Sequence, residues 1–368
     1  MTNLFFLFLL SIIVGVAGTE YFIRQPENDR VKNLPGQPPV SFTHYFGYIK
    51  LGLEEEKSLF YWTWLFLCLF GPFLVDDHQG LKFNNFSWNR VANIIFLESP
   101  IGVGYSYTNN LKDLSELSDQ VVAIDNYDFL VGWFKMFPSY QSNEFYIIGE
   151  RHYVTQLAEI INQKNKRGPY INLKEIMIGN DVINDDTDIK DIFDYILDHD
   201  IISEQIYDGI RENCDFRRKK QTRDCSWNEL WSKLPLSGYD PCGVIYVEKY
   251  FNNKDVQRTI HANISSQTYP YTLCITVIKK WNDPRSTVLP VSESLSEDTN
   301  GKVPLLSTRY GLEELKLNEY EGCLTFATIR GVGHQVPIFA PQQALSIFFH
   351  FLSSQPFIFS LLIYPIYM

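Results

Sequence analysis

The chain has 368 residues, 45% hydrophobic and 20% charged, a globular balance that excludes a disordered, collagen-like or coiled-coil chain. Lys and Arg number 32 against 43 Asp and Glu, giving a formal charge of -11. No basic footprint of a sequence-independent nucleic-acid binder is present, so nucleic acid is not an expected partner.

Residues 4–17 form an uncharged apolar run that ends in small residues before Thr19-Glu20. This reads as a secretory leader over residues 1–18. The run is shorter than the roughly 20 residues a membrane span needs. The apolar stretch 59–75 is broken by Gly71-Pro72 and reads as buried sheet followed by an irregular junction, so no stable membrane span is expected. Residues 91–98, VANIIFLE, form a short apolar run that stops at Ser99-Pro100 and a Gly-rich loop, the pattern of a buried strand. Helical spacing follows over 114–137. A strand is expected at 144–150 (EFYIIGE), running directly into a helix at 153–164, with another strand at 176–180. Strands that alternate with helices predict an α/β chain with a parallel sheet covered on both faces.

Residues from about 185 to 260 are charged, carry three cysteines and lack buried-strand runs, so they read as an inserted helical cap. Ser203 is a predicted N-cap, with Glu204 in the first turn. The acidic stretch 184–191 lacks the Gly and terminal Glu of a calcium loop, and no metal site is expected there. The sheet pattern returns at LTFATIRG (324–331), and a helix is predicted over 341–352. The tail 356–368 is apolar, too short to span a membrane, and has no assigned role.

Six cysteines are present, at 68, 214, 225, 242, 274 and 323. An even count behind a leader suggests disulfides, and the absence of a CxxC spacing argues against zinc. Asn85-Phe-Ser and Asn263-Ile-Ser are glycosylation acceptors consistent with a secretory route.

The chemistry-bearing residues lie late in the chain. His334 follows the predicted strand 324–331, where open α/β sheets hold catalytic groups. Asp298 precedes it by a few dozen residues, in the Ser…Asp…His order of a nucleophile-elbow hydrolase. The elbow needs a Ser in G-x-S-x-G on a strand-to-helix turn. That turn here reads Gly149-Glu150-Arg151-His152-Tyr153, and no G-x-S-x-G occurs elsewhere. Arg151 stands in the nucleophile slot and has no nucleophilic oxygen. Tyr153 fills a position that requires a small residue.

The stretches SWNRVANIIFLESPIGVGYSYTN, DNYDFLVGWFKMFP, EFYIIGE, HDIISEQIY, YDPC, NNKDVQRTIHANIS, VPLLSTRYGL and LTFATIRGVGHQVP resemble the plant serine carboxypeptidase-like family, class II type. They run from about residue 45 to 355. The resemblance implies an α/β-hydrolase fold with a helical cap insertion over residues 19–355. It implies release of C-terminal residues from peptides or proteins, no cofactor, and an extracellular or vacuolar location. Asp298 falls on the family's catalytic Asp, His334 on its catalytic His, and Glu150 on the elbow Glu that helps bind the substrate carboxylate. That Glu acts in a pair sharing a proton, which suits acidic conditions because neighbouring carboxylates do not both ionise cheaply. Cys214 and Cys225 resemble a short disulfide loop of the cap.

The departures fall on functional parts. The Ser-Tyr-Ala-Gly after Gly-Glu is missing, as is the Gly-Gly-Pro-Gly-Cys-Ser oxyanion loop. The strand expected before Asp298 is replaced by the polar VSESLSE (291–297), so the fold is expected to be incomplete. Three readings follow. The chain is a true family enzyme whose sequence as written has lost short blocks through mis-joined coding segments, a non-catalytic secreted relative that binds peptides or acyl groups, or an acyltransferase-type relative. As written it lacks the nucleophile and is expected to be inactive. The sequence leaves the oligomeric state open.

Overall fold

The computed structural model describes residues 4–9, 26–52, 56–63, 70–76, 78, 80–150, 152–179, 197, 203–214, 241–262, 269–272, 277–278, 282 and 336–353. The described strands are β1 (Leu4–Leu9), β2 (Arg30–Val31), β3 (His44–Leu51), β4 (Lys57–Thr63), β5 (Phe73–Val75), β6 (Leu81–Phe83), β7 (Asn93–Leu97), β8 (Tyr107–Thr108), β9 (Glu144–Glu150) and β10 (Leu173–Gly179). The helices are α1 (Asp119–Met136), α2 (His152–Lys164), α3 (Glu204–Asn213), α4 (Pro241–Phe251), α5 (Lys254–Thr259), α6 (Val336–Phe339) and α7 (Pro341–Ser353).

One sheet carries the fold, in the order β10-β9-β1-β7-β4-β3-β2, with β8 paired to β4. Its β10-β9-β1-β7 half is parallel, whereas β7-β4-β3-β2 is antiparallel. The expectation of a parallel sheet therefore holds for half of it. The other half is antiparallel because β3 and β4 follow each other across the short Gly52 turn, which leaves no room for a crossover helix. Leu4–Leu9, which lies in the run read as a leader, is a strand between β7 and β9.

Both faces of the central strands β3, β4, β7 and β9 are buried, and these strands divide their side chains between them. Along β7, Ile95 and Leu97 enter one cluster with Ile49, Tyr61 and Ile147. Ile94 and Phe96 enter the other with Phe46, Trp62 and Ile148. This explains why VANIIFLE and EFYIIGE read as continuous apolar runs rather than alternating ones. Helices α1 and α2 cover the first face through Leu130, Trp133, Val154, Leu157 and Ile161. On the second face lie α4, α5 and α7, through Val247, Phe251, Val256 and Phe348.

The local signals read from the sequence recur in the structure. The Ser118 hydroxyl accepts the Val121 N–H and starts α1, which ends at Met136 with Phe137 as its C-cap, directly before Pro138. The predicted cap at Ser203 accepts the Ile206 N–H at the start of α3. The strand expected at 176–180 begins earlier, at Leu173, and its last expected residue, Asn180, lies outside the described residues.

Lys57 on β4 and Asp125 on α1 tie the sheet to its helical cover. Lys57 Nζ donates to both carboxylate oxygens of Asp125, at 2.9 and 2.7 Å. The side chains are 21% and 12% exposed, so little water screens the pair. Burial raises the Asp125 pKa and Lys57 opposes that rise. Lys57→Met leaves a nearly buried carboxylate uncompensated and is expected to destabilise the protein by about 3 kcal/mol in urea unfolding. Adding Asp125→Leu is expected to recover most of that loss, because the pair as a whole contributes far less than the cost of breaking it.

Candidate active site

The carboxyl edge of the parallel strands is where such sheets place ligands. The structure brings three chain segments to this edge: Glu98 after β7, Gly149-Glu150 at the end of β9, and Gly179 at the end of β10. Leu9 of β1 pairs with both Leu97 and Gly149, so Glu98 and Glu150 leave the sheet at the same level, one strand apart.

The loop after β7 is tightly built. The Tyr105 N–H donates to Glu98 Oε2 at 2.5 Å. The Ser106 hydroxyl donates to the Glu98 carbonyl at 2.5 Å and accepts the Phe60 N–H at 2.8 Å, fixing the loop to β4. Tyr105 donates its hydroxyl to the Phe251 carbonyl on α4 at 2.5 Å, and Tyr269 donates to the Gly102 carbonyl at 2.9 Å. Gly104 has φ +51° and packs on the Glu98 carboxyl, where an added Cβ would sit 2.2 Å from Oε2, so no other residue fits there.

Glu98 is 3% exposed. Burial pushes its pKa from 4.5 up to about 8, against the Tyr105 N–H and the Tyr271 side chain, which pull it down. It therefore carries a proton at neutral pH. The sequence reading gave Glu98 no role. The available signal was an acidic residue closing the apolar run 91–98 directly before a Gly-rich loop.

The strand-to-helix turn expected for an elbow is present. Strand β9 ends at Glu150, and α2 begins at His152. Glu150 thus stands at the carboxyl end of β9. Arg151 and the side chains of Glu150 and His152 lie outside the described residues, as do Asp298, His334, Asn263 and Cys225. Asn85 is exposed in the turn after β6. Cys214 caps the C-terminus of α3 and is disulfide-bonded. Among the described residues no cluster of His, Cys, Asp and Glu has metal-site geometry, and no helix is long and apolar enough to cross a membrane.

The serine carboxypeptidase family model matches residues 66–235 and 226–307. The chain belongs to the serine carboxypeptidase family. Serine carboxypeptidase-like 35 of Arabidopsis thaliana is 40% identical, covering 90% of this chain and 92% of the relative. Serine carboxypeptidase 24 of the same plant is 35% identical, covering 96% and 98%. Among solved structures, a prohormone-processing carboxypeptidase from Saccharomyces cerevisiae, KEX1(DELTA)P, superposes with a TM-score of 0.67 at 18% identity, covering 90% of this chain and 96% of that one. The fold is the α/β-hydrolase fold.

Two details of the matches bear on the site. Asp298 lies within the second matched stretch and His334 beyond it. The alignment with serine carboxypeptidase-like 35 runs over 440 positions, more than the 368 residues of this chain, so that relative carries blocks this chain lacks.

Proposed function

We propose that this family member does not hydrolyse peptide C-termini as written, because its elbow has no nucleophile. One observation carries the reading: the strand-to-helix turn between β9 and α2 stands at the carboxyl edge, and the residue between its Glu150 and His152 is Arg151. A guanidinium remains protonated and offers no oxygen to attack a carbonyl. Asp298 and His334 would be the remaining members of the triad, with Glu150 placed to meet a substrate carboxylate. The Cys214 disulfide fits pairing with Cys225. The experiment is labelling with a serine-directed fluorophosphonate, beside an intact plant relative, from pH 4 to 7. No label and no release of the C-terminal residue from a blocked dipeptide are expected. Stoichiometric labelling would overturn the reading.

A second reading is favoured by the length of that alignment: the sequence as written has lost blocks through mis-joined coding segments, and the locus makes an ordinary serine carboxypeptidase. Tryptic mass spectrometry separates the two. Cleavage after Lys135 and Arg151 releases MFPSYQSNEFYIIGER from the chain as written. A longer peptide running from Gly-Glu into Ser would establish the complete enzyme.

A further inference from the structure

At the edge of the sheet opposite the candidate active site lies a cleft that the proposed function does not use. We propose that it binds a small oxyanion of the phosphate class, free or carried as a monoester. Strand β9 ends at the carboxyl edge, and α2 runs back from there to Lys164. The chain then turns into β10 beside the start of β9, where the Phe145 N–H donates to the Asn172 carbonyl at 2.9 Å. The cleft has a volume of about 530 Å³ and is lined by Tyr127 of α1 and by Lys164, Lys166, Arg167 and Gly168 at the end of α2 and in the turn after it.

Two independent observations point to an anion. The first is a donor without an acceptor. Tyr127 is fully buried, and among the described residues its hydroxyl has no hydrogen-bond partner. Such a group is costly, so an acceptor brought by a ligand relieves it. The hydroxyl faces Gly168, where an added Cβ would stand 3.8 Å from it, and the lack of a side chain there leaves it open to the cleft. Burial, helped by Asp128, pushes the phenol up to about 12, so it keeps its proton. The second observation is charge. Lys164, Lys166 and Arg167 bring three cations to the cleft, and among the described residues none of them forms an ion pair. Lys164 also complements the C-terminal dipole of α2, but Lys166 and Arg167 lie beyond the helix. Their turn is fixed from within. Arg167 and Gly168 donate their N–H groups to the Lys164 carbonyl at 2.9 and 2.7 Å. The Asn165 side chain donates to the Ile171 carbonyl at 2.8 Å and accepts the Ile171 N–H at 2.9 Å. The neighbouring acid is Asp128. Burial and Asp125 raise its carboxyl to about 7, against Lys164, Lys57 and Lys135, so below that pH it offers an anion little repulsion.

The test is isothermal calorimetry of the protein at about pH 6 in low salt, with inorganic phosphate and, separately, with glycerol phosphate. Saturable binding of one anion per chain is expected. An ester that binds no more tightly than inorganic phosphate assigns the free ion; a tighter one assigns an esterified ligand. Tyr127→Phe removes only the hydroxyl and is expected to weaken binding about tenfold, the scale of one hydrogen bond to a charged group. Lys166→Ala combined with Arg167→Ala, both on the exposed turn, is expected to weaken it at least as much, and added sodium chloride to weaken it further. No saturable binding of either probe would overturn the proposal, as would full affinity in a folded Tyr127→Phe protein. Should that variant fail to fold, full affinity in the double variant of the turn overturns it equally.

Discussion

Arg151→Ser is expected to leave carboxypeptidase turnover at background, about six orders of magnitude below a complete relative, the scale of loss seen when a protease triad loses its serine. Supplying the hydroxyl alone does not rebuild an elbow. The nucleophile must sit on a strained turn with small neighbours, and Tyr153 occupies the position that asks for Gly. On the proposed reading the oxyanion donors are a separate loss. The junction between β4 and Gly71 carries no pair of glycines to aim backbone N–H groups at a developing oxyanion, and one such donor is worth roughly a hundredfold or more in turnover. The check is single-turnover release from a blocked dipeptide by wild type and by Arg151→Ser at pH 4 to 7. Measurable acylation of the Ser variant would mean that the remaining residues still form an oxyanion site.

Glu98→Gln is expected to gain roughly 3 kcal/mol of stability relative to wild type between pH 5 and pH 7.5. The sign follows from the proton count. Unfolded, the carboxyl ionises above pH 4.5; folded, it holds its proton up to about pH 8. Across that window the native state binds more protons than the unfolded state, so wild-type stability falls as pH rises, by at most about 1.4 kcal/mol per unit. Gln keeps an oxygen for the Tyr105 N–H and has no proton to lose. Other groups also titrate here. Burial raises Asp128 to about 7, which slopes the same way, and lowers His44 to about 4, which makes stability fall as pH drops below 6.5. Both are common to wild type and variant, so the difference between their urea midpoints isolates Glu98. A difference that stays flat with pH would show that Glu98 ionises freely in the folded protein.

Much of the parallel half was legible in the sequence. VANIIFLE and EFYIIGE are continuous apolar runs closed by turn residues, and the Val154, Leu157 and Ile161 spacing marks one face of a helix. The antiparallel half was less so. HYFGYIKL and KSLFYWT acquire their direction from pairing with each other, and KSLFYWT then sets the register of β7 from some thirty residues away. The candidate site divides in the same manner. That Arg151 stands between Glu150 and His152 is plain from the residue order, whereas the burial that raises the Glu98 pKa exists only once the Gly104 loop and Tyr105 close over it.

The sequence by itself determined the family and the existence of the central strands and helices, because each rests on residue identity or on short-range apolar spacing. The tertiary structure alone decided the direction of β3 and β4 and the burial of Glu98, because each depends on partners distant in the chain: β3 and β4 on each other and on β7, and Glu98 on the loop that Tyr105 ties to Phe251.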